Sequence, residues 1–307
     1  MPLSVPNPRP IVITGASGFI GRVLASHASR AGHSVVPLSR GDGTVHSYED
    51  VAALARAFAG ADAVVHLAAR AHRGGTDADF DCNVRVTRAV AEAARTARIR
   101  RLVLLSSIGV NGNVTPGKPF DENDAPAPVE PYARSKLRCE QEVQGILEGS
   151  ATQWTIARPP LVYGAHAPGN FGRLVQAVAR GLPLPLRSVR NERSLIGVGN
   201  LADALLSCAT HPEAANELFL LADDGSLSTP EIIRAIARGL DRSPHLWSMP
   251  PALLKFAARV GGRPRIAESL CDSLRVDASK AWRRLGWSPA VRTTDGIVAA
   301  AAAWKAP

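Results

Sequence analysis

The stretch IVITGASGFIG, residues 11–21, decides the fold of this chain. Its first three residues are apolar and β-branched, which is typical of a buried strand, and the apolar residues after Gly18 recur at helical spacing. Gly15, Gly18 and Gly21 therefore lie on a turn that leads from a strand into a helix. Backbone N–H groups on such a turn, together with a helix N-terminus, can hold a pyrophosphate group, so the stretch predicts a dinucleotide-binding site.

The three glycines have separate predicted roles. We expect Gly15 to allow the tight turn, Gly18 to let the phosphates approach the backbone, and Gly21 to let the helix pack close to the sheet. Their spacing is G-x-x-G-x-x-G, whereas the commonest fingerprint is G-x-G-x-x-G, and an ordinary turn is the alternative interpretation. The strand before the turn and the helix after it favour nucleotide binding.

Strand-like and helix-like segments alternate from this turn to about residue 160. Further strands are predicted at His33–Leu38, Ala63–Leu67, Arg101–Leu105 and Trp154–Ala157. This alternation predicts an α/β fold with a doubly wound parallel sheet of the Rossmann type, in which ligands bind at the carboxyl ends of the strands.

The regular alternation fades beyond residue 160. We therefore predict a dinucleotide-binding domain at residues 1–160 and a smaller, interwoven substrate-binding part at residues 161–307. A cleft between the two parts is the expected substrate site.

Composition narrows the classes of function. The net charge of +9 would suit nucleic acid, but no run of five or six like charges occurs and aromatic residues make up only 5% of the chain. We therefore expect no nucleic-acid partner and favour an enzyme that binds a small polyanion.

Membrane insertion, secretion and metal binding are not expected. No apolar run approaches the length of a membrane span, and MPLSVPNPRP at residues 1–10 does not resemble a secretion signal. The four cysteines contain no Cys-x-x-Cys pair, and the eight histidines lack metal-ligand spacing. These features predict a cytoplasmic protein without a bound metal.

The end of the predicted second strand bears on the choice of cofactor. It reads Ser39-Arg40, and the first acidic residue after it is Asp42. An acidic side chain at this point bonds the ribose 2′-hydroxyl of NAD, whereas an arginine can accept the 2′-phosphate of NADP. The sequence therefore favours NADP(H) through Arg40, while NAD(H) remains possible. A solvated loop arginine is the alternative interpretation.

Ser107, Tyr132 and Lys136 form a candidate catalytic group. A carbonyl accepts hydride readily only if its oxygen receives a proton in the same step. A phenol has a normal pKa near 10, and a lysine one helical turn away would lower that pKa. A serine at a strand end can hold the substrate oxygen. By itself, a Tyr and a Lys at i and i+4 are usually an amphipathic pair, but the glycine-rich turn favours catalysis.

Five motifs resemble the extended short-chain dehydrogenase/reductase family in its nucleotide-sugar branch. They are TGASGFIG at 14–21, HLAA at 66–69, LLSSIGVNG at 104–112, YARSK at 132–136 and RPPLVYG at 158–164. The resemblance implies that Tyr132 is the acid/base, that Lys136 binds the nicotinamide ribose and tunes Tyr132, and that Ser107 contacts the substrate oxygen. Asn83 matches a helix asparagine of the family. The implied cofactor-binding set is Gly15, Ser17, Gly18, Phe19, Ile20, Gly21, Arg40, Leu67, Ala68, Ala69, Asn83, Ser106, Tyr132, Lys136 and Pro159.

The C-terminal part carries the same resemblance. NERSLIGVGNLADAL at 191–205 is similar to the segment in which family members place an arginine on the nucleotide diphosphate, and Arg193 fills that position. Asn170 matches the amide on the phosphate side. The motifs LPLPL, NERSL and LRVDASKAWRRLGW look most like bacterial 4-reductases of UDP-4-keto-6-deoxy-N-acetylhexosamine. A UDP-sugar substrate is implied, and a homodimer is possible.

Three functions remain open at this point. The first is an NADP-dependent sugar 4-ketoreductase that makes UDP-N-acetylquinovosamine or its fucosamine epimer for surface polysaccharide. The second is a UDP-hexose 4-epimerase with tightly held NAD. The third, a non-catalytic nucleotide-binding protein, is disfavoured because both Tyr132 and Lys136 are present.

Overall fold

The computed structural model describes residues 9–39, 47–71, 75–262 and 264–304 of the chain. The strands are β1 Ile11–Thr14, β2 Val35–Leu38, β3 Ala63–His66, β4 Arg101–Leu105, β5 Gln153–Arg158, β6 Leu161–Tyr163, β7 Leu195–Gly197 and β8 Glu217–Leu220. The helices are α1 Phe19–Arg30, α2 Val51–Phe58, α3 Asp77–Thr96, α4 Pro131–Leu147, α5 Asn170–Ala179, α6 Val198–Thr210, α7 Thr229–Gly239, α8 Pro251–Val260, α9 Pro264–Cys271, α10 Ser279–Leu285 and α11 Thr293–Trp304.

Six of the described strands form one parallel sheet, in the order β2-β1-β3-β4-β5-β8. β1 pairs with β2 on one side, where Ile11 lies opposite Val35, and with β3 on the other, where Ile11 lies opposite Ala63. The α/β fold with a parallel sheet that the sequence predicts is therefore confirmed.

Both faces of the sheet are covered by helices, as an all-parallel sheet requires. Ile11 and Ile13 lie in a buried apolar cluster with residues of α1 and α6, while Val12 lies in a second cluster with residues of α2, α3 and α4. Successive side chains of a strand point to opposite faces, so one apolar strand supplies both layers. This explains why β1 reads as a continuous apolar run.

The strand order creates a crevice beside β1. The chain leaves β1 towards β2 on one side and then crosses to β3 on the other. Ligands of open α/β sheets bind at the carboxyl ends of the strands where the direction reverses in this way. The glycine-rich turn follows β1 directly and lies at that point.

The chain after residue 160 builds a smaller unit and also returns to the main sheet. β6 and β7 pair in parallel, and α5, α7 and α11 contribute to a third apolar cluster with Tyr163. β8 pairs with β5 at the edge of the main sheet, with Glu217 opposite Thr155. The division of the chain near residue 160 stays a prediction. None of the helices described above is long and apolar enough to cross a membrane.

Candidate active site

Most of the predicted cofactor residues follow the carboxyl ends of four neighbouring strands. Residues 15–21 follow β1, residues 67–69 follow β3, Ser106 and Ser107 follow β4, and Pro159 follows β5. Arg40, on which the NADP preference depends, lies outside the described residues. The fold thus brings four separate sequence motifs to one edge of the sheet.

The glycine turn leaves no room for side chains at two of its three glycines. Gly15 has a φ of +74°, and a Cβ there would lie 2.8 Å from the Ala68 nitrogen. A Cβ on Gly21 would overlap the Gly15 carbonyl oxygen and lie 2.7 Å from the Ala16 Cα. Gly18 is the exposed N-cap of α1. The turn is therefore a backbone cradle at a helix N-terminus, which fits the pyrophosphate of a dinucleotide.

Tyr48 braces this turn from the side of β2. The Gly15 N–H donates to the Leu38 carbonyl at 2.9 Å and to the Tyr48 hydroxyl at 3.1 Å. The Tyr48 hydroxyl donates in turn to the Leu38 carbonyl at 2.7 Å. No sequence motif marks Tyr48, because its role depends on a contact made 33 residues along the chain from Gly15.

Asn83 on α3 fixes the loop that follows β3. Its amide oxygen accepts from the Arg70 N–H at 2.7 Å, and its amide nitrogen donates to the Arg70 carbonyl at 3.1 Å. The same nitrogen donates to the Ser135 hydroxyl on α4 at 3.4 Å. Asn83 therefore links the loop of the cofactor crevice to the helix that carries Tyr132 and Lys136.

A buried histidine lies below the crevice. His66 Nδ1 is 2.7 Å from the Thr14 hydroxyl, and its Nε2 is 3.2 Å from the Thr87 hydroxyl. Burial, followed by the charge of Lys136, lowers the pKa of His66 to about 3. The imidazole is therefore neutral near pH 7 and joins β1, β3 and α3. His66 belongs to the HLAA motif, but no pattern in the sequence indicates this role.

Tyr132 and Lys136 lie on the first two turns of α4, which begins at Pro131. Lys136 is buried, and its ammonium donates to the Leu105 carbonyl at 2.9 Å. The Lys136 Nζ is 5.8 Å from the centre of the Tyr132 ring, and the Phe80 ring meets the Tyr132 ring edge-on at 5.8 Å. A buried cation beside a half-buried phenol is the arrangement that the predicted acid/base chemistry needs.

Ser107 caps the short 3-10 turn Ile108–Val110 after β4. Its Oγ accepts from the Gly109 N–H at 3.1 Å, which leaves the hydroxyl proton available to another acceptor. A Cβ on Gly109 would lie 3.3 Å from the Cβ of Ala133, so this turn packs against the first turn of α4. Ser107 and Tyr132 thus border the same region from two elements.

A buried ionic network underlies this region. The Ser106 hydroxyl donates to the Glu140 carboxylate on α4. Arg158, at the end of β5, donates from Nε to Glu140 at 2.9 Å and from Nη1 to the Asn111 amide oxygen at 2.9 Å. Both charged side chains are at most 4% exposed. The network joins α4 to the ends of β4 and β5. The sequence alone does not indicate this role for Glu140, because a Glu on a helix is usually solvated.

The two residues predicted to bind the substrate diphosphate, Asn170 and Arg193, lie in the C-terminal part. Asn170 is exposed at the start of α5, after Gly169 with a φ of +75°. Arg193 is held by two main-chain bonds to Leu227, and its Nη1 donates to the Asp272 carbonyl at 3.2 Å. Burial lowers the pKa of Arg193, and the Asp272 charge opposes that shift. The guanidinium keeps further donors for an anion. Asn170 and Arg193 share no hydrogen bond among the described residues.

Comparison with known proteins identifies the family. The model of the NAD dependent epimerase/dehydratase family matches residues 11–222. The chain belongs to the NAD dependent epimerase/dehydratase family. The family, and the enzyme class that the sequence predicted from it, are thereby confirmed, whereas the narrower resemblance to 4-reductases stays a prediction.

Relatives of the family cover almost the whole chain. A UDP-glucose 4-epimerase of Vibrio cholerae is 32% identical over 309 residues, 94% of each chain. A 4-hydroxy-2-methyl-3-oxo-4-farnesyl-3,4-dihydroquinoline-1-oxide ketoreductase of Stigmatella aurantiaca is 25% identical over 93% of each chain. The crystal structure of a UDP-N-acetylglucosamine 4-epimerase from Bacillus cereus superposes with a TM-score of 0.80, at 20% identity, over 97% of this chain and 100% of that one. This last likeness establishes the fold.

Proposed function

We propose that the protein catalyses hydride transfer at C4 of a UDP-sugar. The observation that carries the proposal is the buried Lys136 ammonium, which lies 5.8 Å from the centre of the Tyr132 ring and binds the Leu105 carbonyl at the sheet edge that also carries the glycine cradle. The cradle and residues 67–69 would hold the dinucleotide, whose nicotinamide supplies or accepts the hydride when bound. The family is described as NAD dependent, so a preference for NADP(H) does not follow from membership of it and is part of the proposal.

The proton is handled by residues of this chain. The Tyr132 hydroxyl donates its proton to the C4 oxygen during reduction and takes it back during oxidation. The Lys136 ammonium stabilises the phenolate by Coulombic attraction, and its donors not bound to Leu105 are available to ribose hydroxyls. The Ser107 hydroxyl, already an acceptor from Gly109, donates to the C4 oxygen and holds it in place.

The diphosphate of the substrate is assigned to Arg193 and Asn170. Arg193 is suited to phosphate because its planar guanidinium donates two parallel hydrogen bonds. Partial burial strengthens such contacts, since less water competes for the same oxygens. A cytoplasmic location and a homodimer belong to the same proposal.

The first form of this activity is reduction of a UDP-4-keto-6-deoxy-N-acetylhexosamine to UDP-N-acetylquinovosamine or the fucosamine epimer. It is supported by the sequence resemblance of LPLPL at 182–186, NERSL at 191–195 and the segment at 274–287, and by Ser39-Arg40 with no adjacent carboxylate. A reductase must release its cofactor in every turnover, and an arginine that binds the 2′-phosphate suits that requirement. The second form is 4-epimerisation with retained NAD, supported by the similarity to the Vibrio cholerae enzyme.

One set of assays tests the proposal and separates its two forms. Purified protein is unfolded to identify any retained nicotinamide, then supplied with UDP-4-keto-6-deoxy-N-acetylglucosamine and either NADPH or NADH. The reductase is supported if NADPH is oxidised faster and Arg40→Ala removes that preference, while Arg56→Ala, an exposed arginine on α2, retains it. Retained NAD and interconversion of UDP-glucose with its C4 epimer support the epimerase. Absence of both activities, with no UDP binding, contradicts the proposal.

A further inference from the structure

Helix α8 turns apolar side chains towards solvent. Leu253, Phe256 and Val260 are 50%, 64% and 75% exposed and lie at positions i, i+3 and i+7, so they form one stripe. None of the residues of α8 is buried. An ordinary surface helix buries such a stripe against the core, and α8 exposes it.

The exposed surface continues beyond α8. Trp247 is 45% exposed four residues before the helix, and Ile266 is 50% exposed on α9, which packs against α8. We name these five residues, Trp247, Leu253, Phe256, Val260 and Ile266, the α8 apolar face. Single exposed apolar residues are ordinary, but a group of this kind on adjacent elements indicates an interaction surface.

The exposed charges on and beside the α8 apolar face are mostly basic, with Glu268 on α9 as an acidic exception. Residues 242–267 contain no acidic residue and five basic ones, Arg242, Lys255, Arg259, Arg263 and Arg265. Arg259 and Arg265 are exposed on α8 and α9, whereas the Lys255 ammonium is bound to the Asp272 carboxylate. The exposed arginines therefore remain available to an anionic partner, while Lys255 fastens α8 to the protein.

An apolar stripe with a tryptophan, a phenylalanine and flanking arginines suits one kind of partner. Such helices lie in the interface of a bilayer, with the apolar face among the acyl chains and the basic residues at anionic headgroups. A second copy of this chain would instead bring an equally basic surface against the first, and like charges repel. We propose that the α8 apolar face docks the protein onto the surface of an anionic phospholipid bilayer.

The docking is peripheral and is independent of the proposed activity. It requires α8 to lie along the surface, since its ten residues are too few to span a bilayer. Docking would bring the bilayer near Arg193, the residue predicted to bind the substrate diphosphate. Lys255 on α8 binds the Asp272 carboxylate, and the Asp272 carbonyl accepts a hydrogen bond from Arg193.

Co-sedimentation with lipid vesicles tests the proposal. The full chain is mixed with vesicles of phosphatidylcholine alone or with about one third phosphatidylglycerol, at low and high salt. We expect binding to the anionic vesicles at least about tenfold tighter than to the neutral ones, and weaker at high salt because the headgroup charge is screened.

Two valines provide a matched pair of variants. Val260 lies on the α8 apolar face, whereas Val291 lies elsewhere and is 48% exposed. Val260→Glu and Val291→Glu make the same change of charge. We expect Val260→Glu to weaken vesicle binding by about tenfold or more, and Val291→Glu by about twofold or less. Arg259→Gln should weaken it by about fivefold, more than Arg56→Gln on α2. Unchanged unfolding midpoints exclude misfolding.

Three results would overturn the proposal. The first is no binding to anionic vesicles. The second is equal loss in the two valine variants, which would leave only net charge as the cause. The third is a dimer in sedimentation equilibrium that Val260→Glu dissociates, because a second copy would then cover the α8 apolar face.

Discussion

The helix pairs α3–α4 and α8–α9 differ in what they present to solvent. The first pair buries apolar residues such as Val90 and Val143 against the sheet and joins its outer surfaces by ion pairs. The ion pairs between α3 and α4 are Arg134–Asp77, Arg138–Asp81 and Arg88–Glu142. The second pair exposes its apolar stripe and binds Lys255 to Asp272 in a partly exposed ion pair. The α3–α4 pair completes its packing within the chain, whereas the α8–α9 pair leaves a surface for a partner.

The two helix pairs also differ in how deeply they bury their charged side chains. Lys136 and Glu140 on α4 are 4% and 2% exposed, while the side chain of Lys255 on α8 is 43% exposed. A buried charge depends on its partners, because water cannot replace them. The first pair therefore holds the proposed reacting groups in place, and changes there should have larger effects than changes in the second pair.

Removal of a buried carboxylate should have the largest effect. Glu140→Ala leaves the Arg158 guanidinium buried without its ionic partner and should lower the free energy of unfolding by about 3–5 kcal/mol. Lys255→Ala breaks a more exposed ion pair and should cost about 1 kcal/mol or less. Urea unfolding of both variants measures the difference, and equal losses would remove the contrast between the two pairs.

Loss of the phenol should abolish most turnover without unfolding the protein. Tyr132→Phe removes the general acid but keeps the ring beside Phe80, so kcat should fall by about 100-fold or more. Phe256→Ala on α8 should leave kcat for a water-soluble UDP-sugar unchanged. Steady-state kinetics measures kcat for both variants, and a Tyr132→Phe enzyme with normal kcat would contradict the assignment of Tyr132 as the general acid.

Arg193 tests the side of the site next to α8–α9. Arg193→Ala removes a charged hydrogen bond to the diphosphate, so the Kd for UDP should rise by about tenfold or more. The exposed Arg190, three residues away, supplies the control, since Arg190→Ala makes the same change of charge. Calorimetric titration with UDP measures both. Equal Kd values for the two variants would place the diphosphate elsewhere.

His66 predicts a dependence of stability on pH. The folded protein keeps His66 neutral down to about pH 3, whereas the unfolded chain protonates it below its ordinary pKa near 6.5. Protonation therefore favours the unfolded chain. The contribution of neutral His66 to the free energy of unfolding is complete above about pH 6.5, and it should fall by up to about 1.4 kcal/mol for each pH unit below that value. Denaturant unfolding between about pH 7 and pH 5 measures the slope. A His66→Gln variant with the same slope would contradict the assignment.

Local periodicity explains how much of the site the sequence predicted. The glycine turn, the strand that precedes it and the i, i+4 pair of Tyr132 and Lys136 depend on neighbours within a few residues. The roles of Asn83, His66 and Glu140 depend on partners that lie 13 to 52 residues away along the chain. Such contacts have no local pattern, so the sequence implied Asn83 only by resemblance and missed the other two.

The sequence by itself determined the alternation of strands and helices, the cradle at Gly15–Gly21 and the family to which the chain belongs. Only the tertiary structure decided which face of a helix points inwards. Leu253, Phe256 and Val260 have the spacing of an ordinary core stripe, as do the apolar residues of α4. Spacing specifies a stripe, but its direction depends on what the helix packs against, and α8 meets the protein through Leu254 and Lys255 instead.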